Sequence, residues 1–348
     1  MDAADVADVQ LASNMSSSIP TIEFGVPGDK ITVPRIGLGV AGMVGTYGAY
    51  DENDSIGVLN HSIDIGSTFW DTADSYGFGK GEELVGKVSQ SRSEKVFIGT
   101  KFGFVFTPPG PDFDGDYSKV VHGVCGTPEY VHKQAEQSLK NLGVDRIDLY
   151  YQHRIDPDVP IEVTVGAMAE LVKEGKVRYL GLSECSADDL RRAYKVHPIA
   201  AVQVEYSPWC TDPETNGLLE ACRELDVTLV AYAPLGRGFL TGNIRDVKNL
   251  EKDDWRRTNP RFQPENIENN IKLVDGIEAI AKKRGVTTSQ LTLAWLLAQE
   301  KNLMVIPGTR RIKYLDENFS AGQIVLTDDE NKEIRELVDN ADIKGERY

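Results

Sequence analysis

Short apolar runs, rich in β-branched and aromatic residues, alternate with segments of helical periodicity along most of the chain. Eight of these runs have the length and composition of buried parallel strands. They cover residues 36–39, 68–70, 96–98, 147–151, 177–182, 201–204, 228–232 and 304–306. The pattern switches between the strand period and the helix period as repeated βαβ units require.

Residue types that begin and end helices occur at the edges of the segments between the runs. A Thr-Pro pair starts one segment, glycines follow two of them, and capping boxes start two others. These signals predict helices that begin near Thr127, Ile161, Ser186, Thr287 and Thr327, the first two ending at Gly143 and Gly175.

Strands and helices that alternate without an obvious linker predict a single (β/α)8 TIM barrel, with a doubly wound open sheet as the alternative. We expect residues 21–348 to form this one domain and residues 1–20 to be a mobile N-terminal tail. Two connections, 102–126 and 233–266, are too long for ordinary loops. Because long loops in compact domains are usually functional, we expect them to cover a ligand site at the C-terminal face of the barrel.

The composition is that of a globular protein with a sizeable core, because 41% of the 348 residues are hydrophobic and 26% are charged. The formal net charge is −16 at pH 7, and the isoelectric point is about 4.8. Binding to nucleic acid or to an anionic membrane surface needs clustered lysines and arginines, so we expect neither as a partner. An anionic small molecule would need a local basic patch.

The cysteine pattern indicates a reducing, cytoplasmic compartment. Cys125, Cys185, Cys210 and Cys222 form no C-x-x-C pair and no metal-type spacing with the five histidines, so no metal site is expected. The first 20 residues have neither a basic region nor a long apolar run, which argues against a signal peptide. No segment approaches the ~18 uninterrupted apolar residues of a membrane span.

Titratable side chains follow three consecutive apolar runs. Asp71 directly follows the run at 68–70, Tyr76 lies five residues later, and Lys101 and His153 follow the next two runs. Each of them alone fits a structural role, such as a helix cap or a solvated strand end. Because active sites of such barrels are built where strands end, their joint occurrence favours a common site.

These four side chains suit proton transfer to a carbonyl oxygen. A tyrosine hydroxyl ordinarily has a pKa of about 10, but an adjacent lysine ammonium stabilises the phenolate. Asp71 would hold the lysine charged and in place, and His153 could orient the substrate oxygen through a hydrogen bond. The sequence therefore predicts a site that can protonate a carbonyl group.

Seven ordered motifs resemble those of the aldo-keto reductases, over nearly the whole chain from about Ile22 to Asp339. The motifs lie at residues 69–77, 99–103, 150–154, 181–184, 202–207, 231–242 and 306–310. The Gln-His-Arg run and the run Gly-Arg-Gly-Phe-Leu-Thr-Gly are most similar to the branch that contains pyridoxal reductases and microbial general aldehyde reductases.

The resemblance implies a catalytic tetrad of Asp71, Tyr76, Lys101 and His153, with Tyr76 as general acid in the reduction direction. The implied reaction is NADPH-dependent reduction of an aldehyde or ketone to an alcohol, with NADH as the less favoured cofactor. A small carbonyl compound is then the expected partner, and the oligomeric state stays open. The alternative is a nicotinamide-binding, redox-sensing regulatory subunit with slow residual reductase activity, because some members of the superfamily serve chiefly as partners of membrane channels.

The implied cofactor site draws on several motifs. Ser183 and Gln203 would hold the nicotinamide carboxamide, and the ring would stack on Tyr232. The glycines of the stretch 236–242 would let the backbone approach the pyrophosphate, although loop glycines are often only turn formers. The implied contact residues are Gly39, Ser183, Gln203, Tyr232, Pro234, Leu235, Gly236, Gly238, Leu240, Gly242, Gly308, Thr309, Arg310, Glu317 and Asn318.

Arg310, Arg311 and Lys313 form a basic cluster at the start of a predicted helix. The cluster suits the 2′-phosphate of NADPH, because a helix N-terminus and guanidinium groups both favour phosphate, while a solvated helix face is the structural alternative. Tyr314 stands where many relatives place a second arginine. The preference for NADPH therefore rests mainly on Arg310.

Two further sequence patterns resemble those of other kinds of functional site. Residues 37–42 match G-x-G-x-x-G, but the residues after them do not open a helix, so a Rossmann pyrophosphate site is not predicted. Glu184 and Glu205 follow strands, as the carboxylates of a glycosidase would. Nothing in the sequence pairs them, and the tetrad explains more residues.

Overall fold

The computed structural model describes residues 19–92, 94–108, 110, 119–251 and 254–347. Residues 1–18 of the expected tail at 1–20 lie outside the described residues. Part of the long connection 102–126 also lies outside them.

Eight parallel strands form the barrel that the alternating runs predict. Across the described residues the strands are β1 (Thr21–Val26), β2 (Asp29–Pro34), β3 (Leu38–Gly39), β4 (Phe69–Asp71), β5 (Phe97–Phe102), β6 (Phe104–Phe106), β7 (Val121–Val124), β8 (Ile147–Gln152), β9 (Val177–Ser183), β10 (Ala201–Glu205), β11 (Thr228–Tyr232) and β12 (Leu303–Val305). The barrel runs in the order β3-β4-β5-β8-β9-β10-β11-β12, with parallel neighbours throughout. Parallel bridges from Ile36 to Val305 and from Gly39 to Gly308 close it. The (β/α)8 expectation is therefore confirmed.

Helices follow the barrel strands on the outside. Those described are α1 (Glu52–Asp64), α2 (Lys80–Ser89), α3 (Pro128–Leu142), α4 (Ile161–Lys173), α5 (Ala187–Val196), α6 (Asp212–Thr215), α7 (Leu218–Leu225), α8 (Pro264–Arg284), α9 (Thr288–Gln299), α10 (Ile312–Ser320) and α11 (Asp328–Asp339). The predicted caps hold, because the side chains of Thr127, Ser186, Thr287 and Thr327 each accept a backbone N–H of the first turn. None of the described helices is long and apolar enough to cross a bilayer.

Strand alternation divides the core into two layers. In β8, Leu149 and Tyr151 point into the barrel, whereas Tyr150 between them packs in the layer shared with the helices. The hairpin β1–β2, which the sequence pattern did not predict, packs against the barrel interior. Its Phe24 lies 5.2 Å from Phe97, ring centroid to centroid. This hairpin fills the barrel beside the first residues of the strands and leaves the opposite end for a site.

The two long connections have structure of their own. The first contains the antiparallel pair β6–β7. The described part of the second contains short 3₁₀ turns up to Phe262, after which α8 begins at Pro264. The glycine-rich match at 37–42 leads only into a single 3₁₀ turn, Ala41–Val44, and α1 begins at Glu52. The local geometry of a Rossmann phosphate site is therefore missing there, as the sequence indicated.

Candidate active site

The four side chains predicted to be catalytic lie together at the carboxyl ends of three neighbouring strands. Asp71 is the last residue of β4, Lys101 is the penultimate residue of β5, and His153 directly follows β8. Tyr76 comes from the turns that join β4 to α2. Asp71, Lys101 and His153 are buried, while Tyr76 is half-buried and faces a cavity.

Lys101 is the centre of the hydrogen-bond network. Its Nζ lies 2.5 Å from Asp71 Oδ1 and donates to the carbonyl oxygen of Thr72 at 2.7 Å. The same ammonium donates to the hydroxyl oxygen of Tyr76 at 3.3 Å. Because Lys101 is fully shielded from solvent, Asp71 is the counter-ion that keeps its charge aimed at the phenol.

The pKa values of these groups follow from burial and charge. Burial alone would lower the pKa of Lys101, but Asp71 and Tyr76 outweigh it and raise the pKa above the usual range. Burial raises the pKa of Tyr76, and Lys101 opposes this only in part. The lysine acts in the expected direction, but burial is the larger effect. Tyr76 therefore keeps its proton at neutral pH, as a proton donor must.

His153 is a neutral imidazole at the edge of the cavity. Burial, with the nearby charges of Lys101 and Arg154, holds its pKa well below the usual value. Its ring lies 5.8 Å from the Tyr76 ring and 4.8 Å from the Phe104 ring, both edge to face. Its Nδ1 has no hydrogen-bond partner among the described residues. A ligand oxygen beside this ring would therefore meet the nitrogen of an uncharged imidazole.

We expect the protein to lose stability as the pH falls below about 6.5, because His153 is protonated in the unfolded chain but not in the folded one. Above this pH both states are neutral and the histidine contributes no pH dependence. Below it, His153 should cost up to ~1.4 kcal/mol per pH unit. Denaturant unfolding at about pH 7 and about pH 5.5 checks this, with His153→Gln as the comparison. Equal losses in wild type and His153→Gln would contradict it.

A cavity of about 1440 Å³ lies at this end of the barrel, with Asp71, Tyr76 and His153 in its wall. Ordinary small-ligand sites have volumes of ~300–1,000 Å³. The larger volume is suited to a dinucleotide together with a small substrate. Its cover is formed largely by the connection after β11, here called the covering loop, residues 233–251 and 254–263.

Most residues expected to contact the cofactor line this cavity. They are Gly39, Ser183, Gln203, Tyr232, Pro234, Leu235, Gly238, Gly308, Thr309, Arg310 and Asn318. The remaining four, Gly236, Leu240, Gly242 and Glu317, are not part of the lining. Leu240 is fully buried, and the Glu317 carboxylate accepts a hydrogen bond from Thr287 Oγ1 at 2.8 Å. Gly236 is buried as well, whereas Gly242 and Glu317 are half-buried outside the lining.

The glycines of the covering loop meet a backbone requirement. Gly236, Gly238 and Gly242 have φ values of 54°, 92° and 80°, the left-handed region that side chains disfavour. Glycine is needed at position 39 for a different reason, because a Cβ there would lie 2.9 Å from the carbonyl oxygen of Ile306. Close approach of β3 to the chain after β12, and the turns of the loop, explain these glycines without reference to a ligand.

The cavity supplies the local basic patch that an anionic ligand of this acidic chain needs. Its lining has two carboxylates, Asp71 and Asp254, and six arginines: Arg154, Arg237, Arg256, Arg257, Arg310 and Arg311. Arg256 is paired with Asp254 at 2.5 Å, and Arg237 with Glu205 at 2.8 Å. Arg310 and Arg311 precede the first residue of α10, where backbone N–H groups also favour an anion. The lining therefore fits a phosphate-bearing dinucleotide.

Several lining residues were missed at the sequence level. Tyr47 and Trp255, from two separate loops, approach to 6.4 Å between ring centroids, and Arg256 lies 5.0 Å over the Tyr47 ring. The length of the second connection indicated Trp255 and Arg256 only indirectly, and no signal in the sequence indicated Tyr47. Phe104 and Arg154, two residues that follow strands, also line the cavity and are candidate substrate contacts. Trp209 does not line the cavity: it is buried and stacks on Phe239 at 4.5 Å.

The fold and the cavity together define a barrel enzyme that works with a dinucleotide. The sequence pattern of the aldo/keto reductase family matches residues 35–339. The aldo-keto reductase yakc of Schizosaccharomyces pombe, whose name specifies NADP(+), is 47% identical over 335 residues, 95% of either chain. The aldo-keto reductase str7 of Strobilurus tenacellus is 47% identical over 339 residues, 94% of this chain and 95% of its own.

Solved structures agree with these relatives. A glycerol dehydrogenase from Gluconobacter oxydans superposes with a TM-score of 0.83 at 27% identity, covering 94% of this chain and 97% of its own. An aldo/keto reductase from Klebsiella pneumoniae, solved with NADP and acetate, gives a TM-score of 0.69 at 27% identity, covering 93% and 98%.

This chain belongs to the aldo/keto reductase family. It is an NADP-dependent oxidoreductase, and NADPH-dependent reduction of carbonyl compounds is its general reaction. The expected family, fold and cofactor are thereby confirmed. Membership of the pyridoxal-reductase branch stays a prediction.

Proposed function

We propose that this enzyme reduces an aldehyde or ketone to an alcohol with Tyr76 as the proton donor. One observation carries the proposal: the Tyr76 hydroxyl, at the cavity wall, lies 3.3 Å from a buried ammonium whose counter-ion Asp71 lies 2.5 Å away. The nicotinamide of NADPH, when bound, supplies the hydride to the carbonyl carbon. The protein's part is to protonate and to orient the carbonyl oxygen.

Tyr76 donates its proton as negative charge develops on the substrate oxygen. Lys101 stabilises the phenolate that forms, and Asp71 keeps the buried Lys101 charged. His153, neutral because of its burial, holds the oxygen through a ring nitrogen without competing as an acid. The proton lost from Tyr76 is replaced from solvent after the alcohol leaves.

The same geometry suggests how the nicotinamide end is oriented. Gln203 lines the cavity and donates from Nε2 to Asp71 Oδ2 at 2.7 Å. Ser183 lies on the neighbouring strand β9, and Tyr232 ends β11. We assign Ser183 and Gln203 to the carboxamide and Tyr232 to the ring face. Gln203 then couples the position of the cofactor to that of the tetrad.

An aromatic or otherwise flat aldehyde is the proposed substrate class. The support is the sequence resemblance to pyridoxal and general aldehyde reductases, together with the aromatic side chains of Phe104, Tyr47 and Trp255 in the cavity wall. Such rings stack on flat ligands with a gain of ~0.5–1.5 kcal/mol beyond burial.

The proposal is tested by incubating purified protein and NADPH with pyridoxal, aromatic aldehydes, short aliphatic aldehydes and ketones. We expect many turnovers, with one alcohol formed per NADPH oxidised, and the highest kcat/KM among the aromatic aldehydes. Oxidation of no more than one NADPH per chain with every carbonyl would contradict it and favour a redox-sensing regulatory subunit. A clear preference for short aliphatic aldehydes would overturn the substrate class alone.

A reducing, cytoplasmic setting is part of the proposal. All four cysteines are free thiols, and Cys185, Cys210 and Cys222 are buried. Burial raises the pKa of each of these three thiols, so their reactive thiolate forms are disfavoured.

A further inference from the structure

The residues after α11 return across the barrel to the covering loop. This stretch, residues 341–347, is called the Arg347 segment here. The Asn270 side chain on α8 fixes it from both sides, accepting from the backbone N–H of Lys344 at 2.8 Å and donating to its carbonyl oxygen at 2.9 Å. Gly345 has φ of 89°, and a Cβ there would lie 2.7 Å from the carbonyl carbon of Pro260. The segment is therefore in close contact with the loop.

The Arg347 guanidinium meets three carboxylates at the C-terminal end of the barrel. It is ion-paired with Glu184, lies 3.5 Å from Glu205 and 4.0 Å from Asp212. Burial would raise the pKa of Glu184, but Arg347, together with hydrogen bonds from the Glu205 backbone and the Tyr232 side chain, outweighs it and lowers that pKa. Glu184 is therefore ionised at neutral pH and held by a charge-assisted contact.

The two glutamates stand directly beside the proposed carboxamide-binding residues. Glu184 follows Ser183, and Glu205 lies two residues after Gln203 at the end of β10. Glu184 Oε1 also accepts the backbone N–H of Glu205 at 3.0 Å, which ties the two strand ends together. Any shift of Glu184 would move the backbone that carries Ser183.

The covering loop is attached to the same cluster. Arg237, a lining residue of the loop, is 2.8 Å from Glu205 and donates to the carbonyl oxygen of Arg347 at 3.4 Å. Asn259, also a lining residue, donates to that carbonyl oxygen at 3.0 Å. Arg347 thus contacts both the ends of β9 and β10 and the covering loop.

Backbone strain is concentrated around this cluster. Five described residues other than glycine have a positive φ, and three of them are Glu184 (53°), Ala233 (47°) and Arg237 (55°). Such conformations persist only where the surroundings hold them, and they occur preferentially at functional sites. Arg347 contacts the side chains of two of these three residues, Glu184 and Arg237.

We propose that Arg347 is a positioning residue for the cofactor: it joins the strand ends that carry Ser183 and Gln203 to the covering loop, and so sets how tightly NADPH is held. The inference rests on the proposed assignment of the cofactor site. Because the contacts of Arg347 lie at the nicotinamide and loop side, away from Arg310, its effect should be the same for NADPH and NADH.

The test is a titration of the full chain carrying Arg347→Gln with NADPH and with NADH, followed by stopped-flow measurement of cofactor dissociation. We expect both dissociation constants to rise by the same factor, about 5- to 30-fold, mainly through faster release. The rate of hydride transfer at saturating NADPH should stay close to that of wild type. Arg347→Lys, which keeps the charge, should restore most of the affinity.

Arg335→Gln is the matched control. Arg335 on α11 is also paired with a glutamate, Glu214 at 2.8 Å, and its side chain is 27% exposed against 22% for Arg347, but Glu214 lies on α6 and not at the end of a strand that carries Ser183 or Gln203. This control should lower Tm without changing either dissociation constant more than about twofold. Glu184→Gln, which removes the other partner of the same ion pair, should raise the dissociation constants of NADPH and NADH by the same factor. It replaces Arg347→Gln as the test variant if Arg347→Gln does not fold.

Two results would overturn the proposal. One is a change of less than about twofold in both dissociation constants for Arg347→Gln and Glu184→Gln. The other is an equal rise in Arg335→Gln, which would mean that lost stability alone weakens binding. Arg310→Ala, titrated in parallel, distinguishes failure of the proposal for Arg347 from failure of the cofactor-site assignment. If Arg310→Ala also leaves NADPH binding unchanged, the cofactor-site assignment fails as well.

Discussion

Tyr76→Phe is expected to slow hydride transfer by about 10²–10⁴-fold while NADPH affinity stays close to that of wild type. The phenol donates its proton only as charge develops on the substrate oxygen, so its loss affects the transition state and not cofactor binding. Phenylalanine keeps the ring that packs edge to face against His153 at 5.8 Å. Single-turnover stopped-flow kinetics is the appropriate measurement, because slow cofactor release can hide a chemical defect in kcat.

Lys101→Met should fall in the same range, since it leaves the phenol unassisted. It also leaves the buried Asp71 carboxylate without its counter-ion, so its Tm has to be compared with that of Tyr76→Phe. If Tyr76→Phe kept more than half of the wild-type rate in the single-turnover experiment, Tyr76 would not be the proton donor.

The barrel could be predicted because its signals are local. Each of the eight runs is a short stretch of residues suited to a buried strand, and four of the five predicted helix starts have a capping side chain that the structure uses, the exception being the helix at Ile161. The hairpins β1–β2 and β6–β7 were missed although β1 alternates exposed and buried residues, because that alternation covers only Thr21 to Phe24 and because β2, β6 and β7 are mostly exposed or partly buried and show no clear period. The positions of Asp71, Lys101 and His153 followed from the rule that strand ends converge.

The loop contacts could not be predicted, because they join residues far apart in the chain. Glu184 and Glu205 stood out in the sequence as carboxylates after strands, but nothing near them offered a partner. In the structure the ion-pair partner of Glu184 is Arg347, 163 residues away. The direction of the Tyr76 pKa was missed for a similar reason, since burial is a property of the whole fold.

Arg310→Ala is expected to weaken NADPH binding by roughly 10- to 100-fold while NADH binding changes far less. Arg310 lies in the cavity wall just before α10, and one of its N–H groups donates to the carbonyl oxygen of Ala49. A guanidinium has five N–H donors, so others can bind the 2′-phosphate that NADH lacks. Titration of the purified protein with each dinucleotide measures the asymmetry directly.

Lys313→Ala is the control for this prediction, because Lys313 is a cation of α10 that does not line the cavity. It should change neither affinity by more than about twofold. Equal weakening of both cofactors by Arg310→Ala would mean that Arg310 supports the loop at Ala49 or the adenine. A wild-type preference for NADH would remove the phosphate site altogether.

Salt provides an independent check on the same contact. Added salt should weaken NADPH binding more than NADH binding, because the additional interaction is ionic and partly exposed. The net charge of −16 repels both dinucleotides at long range, so salt can also speed their encounter with the protein. That repulsion is larger for NADPH, because its 2′-phosphate adds negative charge, and its relief by salt opposes the loss of the Arg310 contact. The informative quantity is therefore the difference between wild type and Arg310→Ala in the salt dependence of NADPH binding, and the variant should lose most of the weakening by salt.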